Sequence, residues 1–234
     1  MIKIYPLLLF IGIILFTKCM EDQPSNGITQ NSSDDHPKAT ATYEVIITGQ
    51  WSRSNFPTDY PKNPRFSSFV GLTHARPIDL FNVEATANNG LQRFVKDKDA
   101  QLLQKHIQFL TKDGKAGQLI NTESINSGTG TLRFELTVDA KNPYMTIIST
   151  LSPSPGWFVG LKNMALFKEG QFVGELTQNL YSFNAGISEA NDYNSSPKSS
   201  IESPISTLTG YPFSEDPDQM PILAKVTVTR IPHP

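Results

Sequence analysis

Tyr43-Glu44-Val45-Ile46-Ile47-Thr48 decides the fold class, because Tyr43, Val45 and Ile47 alternate with Glu44, Ile46 and Thr48 in a run rich in β-branched residues. Successive side chains of a strand point to opposite faces, so a period of two predicts a strand with one buried face. The far end of the chain repeats the pattern: within Leu223 to Ile231, Ala224, Val226 and Val228 form one face against Lys225, Thr227 and Thr229. Between these two, strands are predicted at Phe66 to Leu72, Thr131 to Val138, Tyr144 to Leu151 and Trp157 to Leu161. Pro57, Pro61 and Pro64 make the stretch after Trp51 an irregular loop, since proline has no N–H to give a ladder. Ser127-Gly128-Thr129-Gly130 reads as a hairpin turn. One stretch is helical in spacing, with Leu102, Leu103, His106, Ile107 and Leu110 on one side, Asp99 as N-cap and Gly114 as stop; Leu91 to Val95 reads as a shorter helical turn. The expectation is a mainly β protein, an antiparallel β-sandwich with one or two short helices.

Composition agrees. Of 234 residues, 38% are hydrophobic and 10% aromatic with only 18% charged, enough apolar material for a core. Pro 17 and Gly 15 disfavour a helical bundle. A net charge of -2 leaves no basic surplus for a phosphate backbone, which argues against nucleic acid as a partner. Arg93, Lys96, Lys98, Lys105, Lys112 and Lys115 crowd the helical region, but Asp97, Asp99 and Asp113 are interleaved, so these charges read as a solvated face. The single cysteine excludes an internal disulfide and a zinc site built from several thiolates.

That cysteine, Cys19, follows an apolar run from Ile4 to Phe16 preceded by Met1 and Lys3, too short for an ordinary spanning helix and of the length of a signal-peptide core. Leu15-Phe16-Thr17-Lys18-Cys19 resembles the lipobox of bacterial lipoproteins, in which the cysteine is acylated and becomes the new N-terminus. Lys18 stands where that motif has Gly, Ala or Ser. The expected organisation is a lipoprotein-type signal peptide over 1–18, a tether over 19–41 and a folded domain over 42–234. Cleavage before Cys19 leaves 18 basic against 22 acidic side chains, a net charge of -4. Residues 20–41 are polar with few large apolar side chains, and as a flexible chain they hold the domain on the order of 25 Å from the lipid.

Candidate chemistry is sparse. Of four histidines, His36 falls in the tether and His233 next to the terminus, where rigid geometry is hard to hold. His106 reads as a packing histidine on the apolar side of its helix. His74 ends a predicted strand and is the one candidate general base, with Ser68 and Asp79 near it in sequence, but no nucleophile elbow or metal-ligand pair surrounds it. An acidic stretch, Glu189-Ala190-Asn191-Asp192, is oxygen-rich without the spacing of an EF-hand loop.

Four segments together resemble the spondin N-terminal domain family: Thr48-Gly49-Gln50-Trp51-Ser52 with Asn55-Phe56-Pro57; Phe66 through His74; Leu151-Ser152-Pro153-Ser154-Pro155-Gly156-Trp157-Phe158-Val159-Gly160; and Phe183-Asn184-Ala185-Gly186. The resemblance implies an extracellular β-sandwich without enzymatic activity, a matrix-protein module in animals and a secreted protein or lipoprotein in bacteria. Family members with a calcium site use aspartates at positions that correspond here to Gly156, Asn184 and Ser188, so all three carboxylates are missing. Glu189 and Asp192 are weak substitutes at best, and no cofactor is expected. The resulting expectation is a non-catalytic binding or adhesion lipoprotein of the bacterial cell envelope, anchored to a membrane through Cys19, with an extracellular matrix protein or glycan as partner. The alternatives are an envelope hydrolase using His74 and a structural envelope protein without a soluble ligand.

Overall fold

In a computed structural model, which describes residues 39–75, 78, 80–195 and 202–232, the two alternating runs are neighbours: β1 (Thr40–Gly49) pairs antiparallel with β11 (Ile222–Arg230). Thr40 and Ala41, expected in the tether, are the first residues of β1, and Ala41 is fully buried. The remaining long strands are β2 (Arg65–His74), β3 (Ala116–Ile125), β4 (Thr131–Asp139), β5 (Tyr144–Ser152), β6 (Trp157–Ala165) and β9 (Glu175–Asn184). With the short β10 (Ser206–Thr207) on β9 they form one antiparallel sheet in the order β3-β2-β5-β6-β9-β11-β1-β4, while β7 (Phe167–Lys168) and β8 (Gln171–Phe172) make a separate ribbon. The sheet curls until its edges, β3 and β4, face each other across a groove of about 650 Å³. Gln118 Oε1 accepts the Thr137 backbone N–H across this seam at 3.1 Å. The sandwich is therefore one sheet folded over its own core, nearly a closed barrel.

The turn between β3 and β4 does not close a hydrogen-bonded hairpin. Its carbonyls serve the end of β1 instead: Gly49 N–H donates to Gly130 O at 2.9 Å and Trp51 N–H to Gly128 O at 3.0 Å. A Cβ on Gly128 would stand 2.0 Å from the Trp51 carbonyl oxygen, so only glycine permits this approach.

Two helices cover one outer face of the sheet. α1 (Asn89–Asp97) starts with Asn88, whose side chain accepts the Leu91 N–H at 2.9 Å, and ends at Lys98 in a left-handed conformation. In α2 (Gln101–Lys112) the N-cap is Ala100; Asp99 sits one residue earlier and still accepts the Gln101 N–H at 2.9 Å. That bond and then Arg93, at 2.8 Å, hold the Asp99 carboxyl below its ordinary range. His106 is exposed, not on the apolar side: Leu103 and Ile107 carry the buried stripe, while Leu102 and Phe109 face outward.

The helical layer gives the molecule two cores. Inside the curled sheet lie Tyr43, Val45, Phe66, Trp157 and Val226; between sheet and helices lie Leu72, Phe94, Leu103, Ile148 and Phe158. Strands β2, β5 and β6 are thus covered on both faces, and β5 shows seven consecutive buried residues. Trp157 and Phe158 belong to opposite cores and both are buried. Either one truncated to alanine should cost about 3–5 kcal/mol of unfolding free energy, measured by denaturant titration. Near-wild-type stability for Phe158→Ala alone would show that the helices do not pack on the sheet.

Candidate functional site

The loop after β1, the β5–β6 turn, the segment after β9 and the approach to β11 meet around four aromatic rings. Trp51 and Tyr193 have ring centroids 5.6 Å apart, Trp157 and Tyr193 5.5 Å, Trp157 and Phe213 5.4 Å, and Tyr193 and Phe213 5.6 Å. All four are buried. Burial pushes the Tyr193 phenol above its ordinary pKa, and the Trp51 indole N–H offsets part of that rise without meeting hydrogen-bond geometry. Neither indole N–H nor the Tyr193 hydroxyl has a hydrogen-bond partner among the described residues.

Above these rings lies a cleft of about 940 Å³. Arg53, Pro57, Asp59, Tyr60, Pro61, Lys62, Asn63 and Arg65 line one side and Ser152, Pro153, Asp192, Tyr193 and Asn194 the other. Tyr60 is fixed by donating its hydroxyl to Trp51 O at 2.9 Å, and the Arg53 guanidinium lies 5.1 Å from its ring centroid. Asp59 accepts the Tyr211 hydroxyl, which raises the Tyr211 pKa. Lys98 is exposed, as expected of a solvated face, but its ammonium turns inward and donates to Val95 O at 2.8 Å and Leu151 O at 3.2 Å, linking the end of α1 to β5. Burial, and secondarily Arg65, lowers its pKa from 10.5 to about 8.

His74 is elsewhere, fully buried on β2. Nε2 is 2.8 Å from Thr146 Oγ1, which also accepts the Asn163 N–H at 3.1 Å, and Nδ1 is 3.1 Å from Ala75 O. Thr146 therefore has its proton for Nε2 and Nδ1 keeps its own for the carbonyl, an arrangement that locks the ring in place as a packing residue. Cys19, His36, Asp79 and His233 lie outside the described residues.

The positions that correspond to family calcium ligands do come together, since Trp157 pairs with Asn184 and Ala185 N–H donates to Gly156 O at 3.1 Å. They do not fit the ion. Gly156 has φ +136°, and a Cβ there would stand 2.6 Å from Ile187 Cγ1, so an apolar side chain occupies the space a carboxylate would need. The Asn184 amide spans its own loop, Oδ1 accepting the Gly186 N–H at 2.9 Å and Nδ2 donating to Ser188 O at 3.1 Å. Ser188 Oγ accepts the Ala190 N–H at 3.1 Å. Asp192 is taken up by the Ser195 hydroxyl at 2.6 Å and the Asn194 and Ser195 N–H groups, which hold its carboxyl below the ordinary range, while Glu189 is exposed. Among the described residues no three His, Cys, Asp or Glu side chains gather as a metal site.

Comparison with known proteins places these loops in a family context. The Spondin_N family matches residues 41–219. Spondin-2 of Homo sapiens is 26% identical over 94% of this chain and 69% of its own length, and Spondin-2 of Rattus norvegicus 26% identical over 82% and 62%. Spondin-1 of Gallus gallus is 25% identical over 91% of this chain, which spans only 28% of that longer protein.

Two expectations follow from the site. The melting temperature should be the same in chelator and in millimolar calcium, and Gly156→Asp, strained at positive φ and against Ile187, should cost about 1–3 kcal/mol without creating calcium dependence. A large calcium shift in the unmodified chain would place Glu189 or Asp192 on a cation. For Lys98, a base whose folded pKa is lowered binds its proton more weakly folded than unfolded, so its contribution to stability rises as pH climbs from about 8 to 10.5. The neutral amine keeps two N–H groups for its two carbonyls. Relative to Lys98→Met, the wild type should gain stability across that window, by far less than a fully buried lysine would because water screens this largely exposed side chain; a flat difference would show that the two carbonyls do not hold the ammonium.

Proposed function

The chain belongs to the Spondin_N family, and from that membership and the loop-end cleft we propose that it is a non-catalytic binding or adhesion module of the bacterial cell envelope, held at a membrane by lipid on Cys19. The family match over residues 41–219 supports the binding or adhesion part of this reading. The cleft supports it: the walls offer charged and amide side chains, and the candidate base, His74, is buried away from it with both ring nitrogens engaged. The alternative of a structural protein without a soluble ligand predicts no saturable binding to matrix proteins or glycans.

The anchor rests on sequence. An apolar signal-like run ending at the only cysteine supports acylation there, and two or three acyl chains hold far more firmly than one. Cys19→Ala should move the protein from the membrane to the soluble fraction, read by fractionation and immunoblot. Retention in the membrane would mean that the h-region itself is the anchor. Protease shaving of intact cells should remove the domain if it faces outward.

A further inference from the structure

The cleft has a chemical bias that family membership does not supply. Its two carboxylates are already engaged as acceptors: Asp59 takes the Tyr211 hydroxyl, and Asp192 takes the hydrogen bonds of Asn194 and Ser195. Its three cations are not: no described carboxylate lies within ion-pair distance of Arg53, Lys62 or Arg65. What the walls leave for a ligand is therefore mostly donors carrying positive charge, in a mature chain of net charge -4. Arg53 is held over a tyrosine ring whose own hydroxyl is fixed, so part of the donor set is preorganised.

The rest of the lining selects among anions. Asn63 and Asn194 are exposed amides, each able to donate to and accept from a hydroxyl. Pro57, Pro61 and Pro153 give stiff apolar surfaces. An acidic peptide would gain most by pairing with a free strand edge, but the strand at this wall, β2, is paired on both sides, to β3 and to β5. The volume lies within the range of clefts that enclose small ligands, roughly 300–1,000 Å³.

We propose that this cleft binds a carboxylate-bearing saccharide, an oligouronate-type acidic glycan, with Arg53, Lys62 and Arg65 meeting the carboxylates and Asn63 and Asn194 the ring hydroxyls. The inference deepens the binding-module reading and rests on it. It is tested by calorimetric titration of the purified full chain in detergent with oligogalacturonate, with neutral malto-oligosaccharide and with oligoglutamate. Saturable, salt-sensitive binding to oligogalacturonate and not to the neutral sugar is expected. Arg53→Ala with Lys62→Ala should weaken it by roughly tenfold or more, as loss of charged hydrogen bonds would. Both side chains are exposed, so the unfolding curve should be unchanged. Equal binding to the neutral sugar, insensitivity to the double substitution, or oligoglutamate binding as tightly would each overturn the assignment. If the chain ignores oligogalacturonate but binds a matrix protein saturably, this inference fails and the binding-module reading stands; if it binds none of them, both fail.

Discussion

Tyr193 packed between the two indoles is the contact on which the functional end of the molecule depends. Trp51 follows β1, Trp157 opens β6 and Tyr193 lies beyond β9, so one aromatic cluster joins loops from distant parts of the chain. Each loop by itself is too polar or too proline-rich to order on its own. Stacking their aromatic residues in a common floor lets the hydrophobic effect fix the loops while their polar groups stay on the wall of the cleft. Trp51 also passes its carbonyl to Tyr60 and its N–H to Gly128 O, so the same residue sets the floor, one wall and the seam.

The second constraint is two-sided burial. Sheet strands beneath the helices need apolar groups on both faces, and the sequence meets this with runs such as Met145 to Leu151, in which the polar members are short: Thr146 serves His74 and Ser149 Oγ donates to Ser67 O at 2.9 Å, while the Thr150 hydroxyl has no partner among the described residues. His74 is explained here without any reaction. A ring with one donor and one acceptor joins Thr146 on β5 to the carbonyl that follows β2, matching buried polar groups that would otherwise cost desolvation energy.

Strands with one solvated face were legible in the sequence because their alternation survives: β1 and β11 stand where the periodicity put them, and Thr131 to Val138 needed only extension; Tyr144 to Leu151 and Trp157 to Leu161, covered on both faces, were legible instead as apolar, β-branched and aromatic runs, and also needed only extension. β3 and β9 were not anticipated. β3 is an edge strand with repeated register shifts against β2, so its apolar residues lose their period, and β9 mixes Gln178 and Asn179 among its apolar residues while lying at the centre of the sheet. The side of His106 is not legible in the sequence because Leu102, which is exposed, widens the apparent apolar face, and only the packing against the sheet shows which side is covered. The motif segments around the cleft were visible one by one. The cleft was not, because the spacing of Arg53, Lys62 and Arg65 from Asp192 and Asn194 in the chain says nothing of their meeting. The Lys98 contact was equally hidden: its neighbours in sequence are charged, and one of the carbonyls that its ammonium reaches, Leu151 O, lies on β5, far away in the chain.

The seam between β3 and β4 bears on how molecules of this protein meet one another. Strand edges carry unpaired backbone groups, and in a crowded two-dimensional layer such edges invite neighbouring molecules to extend the sheet. Among the described residues the two long edge strands of the main sheet are turned toward each other, with Gln118 already occupying the Thr137 N–H and Glu123, Arg133 and Glu135 lining the groove. A strand arriving from another molecule meets charge and a side chain before it meets backbone. The curl of the sheet thus opposes edge-to-edge polymerisation through β3 and β4.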